Sequence, residues 1–118
     1  ARTATVDDYQ AEIAAQEREL AAAVVERKQI DSKLEAAETR QAKYEKELKK
    51  CETALAAKQP GVDIADLRSE KERLKASIAV ESEKARQYLE ERGLLVTRIK
   101  EPHADIAELK QQMGAWHD

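Results

Sequence analysis

Phenylalanine is absent from these 118 residues, and one Trp with three Tyr brings the aromatic share to only 3%. A rounded globule needs more large apolar side chains than that to fill its interior, whereas a narrow apolar seam needs few. The single cysteine, Cys51, excludes an internal disulfide and leaves no thiol pair for a metal. Sparse cysteine fits a reducing compartment, and a cytoplasmic location is expected. His103 and His117 are the only histidines, far apart and with no carboxylate or thiol set at ligand spacing around them, so no metal site is expected. A Ser–His–acid arrangement and a Gly-rich phosphate loop are both missing. The chain is therefore read as non-enzymatic, with no catalytic residue and no cofactor. No apolar run approaches the roughly 20 residues that span a bilayer, and the start Ala1-Arg2-Thr3 has no signal-peptide core. These absences predict a soluble chain without a membrane span. The missing initiator Met reads as a processed chain or an excised segment, with any targeting signals left outside it.

Charge of one sign is lacking too. The 21 basic and 24 acidic residues give a net charge of −3 and are interspersed along the whole length. A nucleic-acid footprint needs a basic stripe, so no nucleic-acid partner is expected.

What the chain does have is 38% charged residues and an abundance of Ala, Glu, Lys, Leu and Arg in a short repeat. Disorder is the competing reading of such polarity. It fails because Leu, Ile and Val recur at regular spacing instead of lying sparse and scattered.

The pattern stops at one place, Gln59-Pro60-Gly61-Val62-Asp63. Pro60 has no backbone N–H and disfavours helix at the residue before it, and Gly61 can take the positive φ that a reversal requires. Asp63 sits where an N-cap belongs, with Asp66 three residues on favouring the start of a new helix. With Val6 as heptad position a, the first arm runs Val6, Tyr9, Ile13, Gln16, Leu20, Ala23, Arg27 and Ile30, then on through Leu34, Ala37, Gln41, Tyr44, Leu48, Cys51, Leu55 and Lys58. A second series starts at Ile64 and continues through Leu67, Lys71, Leu74, Ile78, Glu81, Ala85, Tyr88, Arg92, Leu95, Ile99, Pro102, Ile106, Leu109 and Met113 to Trp116. Sustained spacing of this kind predicts a coiled coil. The two series are out of phase across Pro60-Gly61, so one continuous helix cannot carry both on one face.

The expected fold is all-α: a long antiparallel two-helix coiled-coil hairpin, residues 1–118 as a single unit, with arm one about 6–58, the turn 59–63 and arm two about 64–116. Each arm would be roughly 80 Å long at 1.5 Å per residue. Pairing residues whose numbers sum to 122 sets Val6 against Trp116, Tyr9 against Met113, Leu34 against Tyr88, Leu48 against Leu74 and Ala37 against Ala85. In the same register Glu26 meets Arg98, Glu45 meets Lys75 and Glu52 meets Arg68, whereas Arg40 and Lys84 repel. A parallel dimer of the first arm instead opposes Glu12 with Glu17 and Glu26 with Asp31.

Several residues stand out against that frame. Pro102, at a seam position opposite Leu20, predicts a kink or a fresh helix start, and with Gly93 it marks a candidate hinge. Among the polar seam residues, Gln41 facing Glu81 is the best candidate for fixing register. Cys51, facing Lys71, reads as a small buried core residue. Val24, Leu89 and Val96 widen the apolar stripe on one flank and are candidate partner contacts, together with Pro60, Gly61, Val62, Asp63 and Asp66 at the tip. The Asp63-x-x-Asp66 pair resembles the acidic tips of proteins that reach into the secondary channel of bacterial RNA polymerase, a likeness confined to those two residues. It implies a macromolecular partner at the tip.

The function expected from all this is a rigid spacer or protein–protein interaction adaptor, a segment of a larger assembly protein. The alternative is a regulator that binds a macromolecule through its acidic tip or apolar flank. A protein partner or host domain is expected, and a homodimer of hairpins is open.

Overall fold

A computed structural model of the chain describes residues 5–117, the last three by their backbone alone. It is all-α, a hairpin of two long helices, α1 (Val6–Ala57) and α2 (Ile64–His117), packed antiparallel, with no strand among the described residues. The paired ends Val6 and Trp116 fall partly outside the described side chains.

Helix boundaries follow local chemistry. Thr5 caps α1: its Oγ1 accepts from the Asp8 N–H at 3.2 Å, and its own N–H donates to Asp8 Oδ2 at 3.0 Å. This reciprocal pair satisfies two backbone donors at the helix start, and Asp7 and Asp8 place negative charge at the positive end of the dipole. The other end of α1 closes on Lys58, whose φ of 48° is left-handed without the help of a glycine. Gly61 then takes φ 83°, as the reversal requires. Asp63 caps α2, its Oδ1 accepting from the Asp66 N–H at 3.1 Å and its carbonyl from the Leu67 N–H at 3.1 Å. The expected turn is thus in place, but it begins with a left-handed Lys58 in place of a last seam residue, and Lys58 is exposed.

The chain divides into two compact units. The tip unit, residues 31–90, holds the end of α1, the turn and the start of α2. Leu34, Ala37 and Ala85 form a buried cluster there, with Tyr88 packed against it. Ala37 is wholly buried, and two small side chains facing each other let the helix backbones approach. Leu74, 1% exposed, is the one large side chain fully buried among the described residues.

The terminal unit holds residues up to 30 with those from 91 on. Its buried row is Ile13, Ala23, Leu95, Pro102 and Ile106. Here α2 runs through Pro102 as one unbroken helix, so the chain makes no fresh start at that residue.

Within each unit, every buried residue falls at the three- and four-residue spacing marked out by Leu, Ile and Ala in the sequence, Cys51 and Glu81 included. Of the described residues on those two series, only Arg27 and Lys58 are exposed. Hydrophobic burial is therefore confined to one stripe on each helix, as expected where the partner is a single helix of the same width.

Candidate functional site

At the turn, Pro60, Gly61, Val62, Asp63 and Asp66 are all exposed. Asp63 already spends one carboxylate oxygen on the Asp66 N–H, so the chemistry that makes the tip acidic is also the chemistry that starts α2. Val62 is 37% exposed and supplies the apolar element of the turn.

Beside the turn lies a groove of about 760 Å³ within the tip unit, lined chiefly by Leu55, Lys58, Ile64, Arg68, Lys71 and Glu72. Leu55 and Ile64 are half-buried because the apolar stripe ends there and no further helical turn covers them. The sequence reading, drawn to Asp63 and Asp66, overlooked this cationic rim. Its signal was the spacing of Ile64, Arg68 and Lys71, which share one face of α2.

Cys51 is 6% exposed and its thiol donates to the Leu67 carbonyl at 3.1 Å, the place of a small core residue with its weak donor satisfied. About three turns away along the seam the structure departs from expectation. Gln41 does not reach Glu81; its Nε2 donates along its own helix to Glu45 Oε1 at 3.2 Å. The buried Glu81, 6% exposed, takes Arg40 instead, with Arg40 Nε 3.1 Å and Lys84 Nζ 3.6 Å from its Oε1. The two cations that repel as a pair thus converge on one carboxylate. A guanidinium outcompetes a neutral amide for a buried anion because its bond carries charge. Glu81 Oε2, buried as well, has no hydrogen-bond partner among the described residues.

The Arg40 hydrogen bond is the main reason the Glu81 carboxyl is held below the usual carboxylate range; burial opposes it and Lys84 adds to it. A carboxylate that titrates lower in the folded chain lends stability above its unfolded pKa, ordinarily near 4.5, and loses it as pH falls through the lower folded value. Arg40→Ala is therefore expected to lower stability at neutral pH, and the gap to the parent chain should close as Glu81 becomes protonated. Urea denaturation across pH measures this. A gap that stays constant on acidification would show that Arg40 acts through something other than Glu81.

In the terminal unit, the expected flank pair forms, with Arg98 Nη1 donating to Glu26 Oε2 at 2.9 Å. In the tip unit, Lys75 lies 3.8 Å from Glu72 on its own helix and Glu45 takes Gln41. Both side chains of the expected Glu45–Lys75 pair thus have neighbours one turn away. Val24 is 37% exposed and Val96 half-buried in the terminal unit, and Leu89 is 45% exposed in the tip unit. Arg27 is exposed and Arg92 half-buried, and neither is without a partner. Gly93 is exposed, with nothing within 4 Å of the position a Cβ would take. Pro102 borders a cleft of about 140 Å³ lined also by Gln16, Glu19, Arg98, Glu101 and Asp105.

Among the described residues no cluster of three or more His, Cys, Asp or Glu side chains is placed to hold a metal ion, and no helix is long and apolar enough to cross a membrane. No family model, curated protein or solved structure matches this chain.

Proposed function

We propose that this chain is a non-enzymatic antiparallel coiled-coil hairpin that serves a larger assembly as a rigid spacer and protein–protein interaction adaptor, presenting its turn to a partner. The observation that carries the reading is the confinement of burial to one stripe per helix. Such a stripe holds two helices together and leaves the remaining surface solvated, which suits a spacer and gives a substrate no enclosed site. The signs of the flanking charges add to it, since Glu26 with Arg98 and Arg40 with Glu81 both join α1 to α2.

Cysteines at Tyr9 and Met113, with Cys51 replaced by Ala, test the architecture. An intramolecular disulfide at high dilution is the expected result. Cross-links between chains alone would sink the hairpin and the spacer with it.

A second reading, a regulator docking through an apolar flank, is favoured by the exposure of Val24, Val25 and Leu94, at 37%, 54% and 70% in the terminal unit. The same side chains suit a second copy of the hairpin, in which case sedimentation would give a dimer mass that Leu94→Glu converts to monomer.

A further inference from the structure

We propose that the groove beside the turn, floored by Leu55 and Ile64 and rimmed by Lys58, Arg68 and Lys71, is a docking site for an acidic protein segment that carries one aliphatic side chain among its carboxylates. This extends the adaptor reading by naming the chemistry of the partner at the tip, and it rests on that reading.

Size comes first. The groove is open to solvent, and its volume of about 760 Å³ is roomy enough for a branched aliphatic side chain with its flanking groups. Leu55 and Ile64 offer that side chain an apolar floor which the hairpin itself leaves half-covered.

Charge then decides what surrounds the anchor. Three cations line the groove against one acid, in a chain whose net charge is −3, so the local excess runs against the average. Glu72 does not neutralise them, because its Oε1 lies 3.8 Å from Lys75 Nζ. Lys58, Arg68 and Lys71 have no ion-pair partner among the described residues. The left-handed turn at Lys58, φ 48°, takes it out of the helix at the groove's edge. Arg68 is exposed and able to take a carboxylate in two parallel bonds, while Lys71 is half-buried, where a charge is screened less than at the open surface.

The same residues disfavour the other polyanions. No aromatic side chain lines the groove, so a nucleobase has nothing to stack on. A duplex or a bilayer broad enough to meet these cations also meets Asp63 and Asp66 in the exposed turn, where carboxylates repel phosphate. A single peptide segment can lie in the groove and avoid them.

The test uses the full chain and four probes: a fluorescent peptide with one leucine flanked on both sides by glutamates, the same peptide with serine for leucine, duplex DNA, and phosphatidylserine vesicles. Anisotropy should show the leucine peptide binding best. Lys58→Glu combined with Arg68→Glu, both at exposed positions, should weaken it about tenfold or more, the loss expected for a charge-assisted contact, with helicity by circular dichroism unchanged. Amide shifts at Leu55 and Ile64 should move on binding. Undetectable binding of the leucine peptide, equal binding of the serine peptide, indifference to the charge reversal, or tighter binding to DNA or vesicles would each overturn the proposal. Any of these leaves the Tyr9 and Met113 cross-link standing, so failure of the groove and failure of the hairpin adaptor are told apart.

Discussion

Leu74→Ala is expected to lower stability by about 3 kcal/mol, more than any other apolar truncation in the tip unit. The reason is the thinness of the core. Elsewhere in that unit the buried apolar side chains are Ala37, Ala85 and Cys51, whose truncation removes little, and Leu34, which keeps 6% of its surface exposed against 1% for Leu74, while Leu48, Leu55, Leu67 and Ile78 are only half-buried. A half-buried leucine that is shortened leaves a dent that water can fill. Leu74, 1% exposed, has no such relief, so its removal forfeits the transfer energy of three carbons and leaves a cavity in the seam. Urea denaturation followed by helicity measures the loss, and Leu89→Ala, at a residue 45% exposed, supplies the reference expected to change it by less than about 1 kcal/mol. Equal losses at the two positions would mean that the burial of Leu74 gives the hairpin nothing beyond what a half-exposed leucine gives.

The contrast between Leu74 in the seam and Leu89 on the flank was readable in the sequence, because it depends only on spacing; the deeper burial of Leu74 among the seam leucines was not. The break at Pro60-Gly61, the caps at Asp63 and the facing of Ala37 and Ala85 rest on hard constraints: a missing N–H, a left-handed φ, a side chain too small to hold helices apart. Each has one solution, and each is found in place. The flank pairs behave otherwise. Glu26 reaches Arg98 across the hairpin as its register position suggests, yet Lys75 stays with Glu72 and Gln41 with Glu45. Long exposed side chains choose among neighbours that differ by a few tenths of a kcal/mol, and no pattern of letters resolves a choice that small. Arg40 was hidden for a related reason. Judged beside Lys84 it looks repulsive; only the burial of Glu81 between them makes the three groups attractive. The groove beside the turn was missed because it arises where the apolar stripe runs out, and the sequence records residues that are present, not the helical turn that fails to cover them.

Pro102→Ala should raise stability by about 2 kcal/mol and slow amide exchange around it in the terminal unit. A proline inside a helix costs about 3 kcal/mol through the lost hydrogen bond and the clash of its ring with the preceding turn. Pro102 meets both conditions, since α2 passes through it unbroken and the Arg98 carbonyl, four residues earlier, has no N–H there to accept from. Two features moderate the penalty. The polar cleft of about 140 Å³ alongside, with Gln16, Glu19 and Asp105 on its walls, gives water a route to that carbonyl. The ring is also buried, so alanine forfeits some apolar contact, on the order of 1 kcal/mol. Gly93→Ala, with open space around the new Cβ, should add about 1 kcal/mol more through helix propensity alone. If these two residues form a hinge, the parent chain should exchange fastest between Gly93 and Ile106 among helical amides other than the frayed ends, and the double substitution should remove that minimum. Protection that is already uniform along α2, or a fall in stability on Pro102→Ala, would mean that the ring's packing in the seam outweighs the broken ladder and that this half of the hairpin has no built-in point of bending.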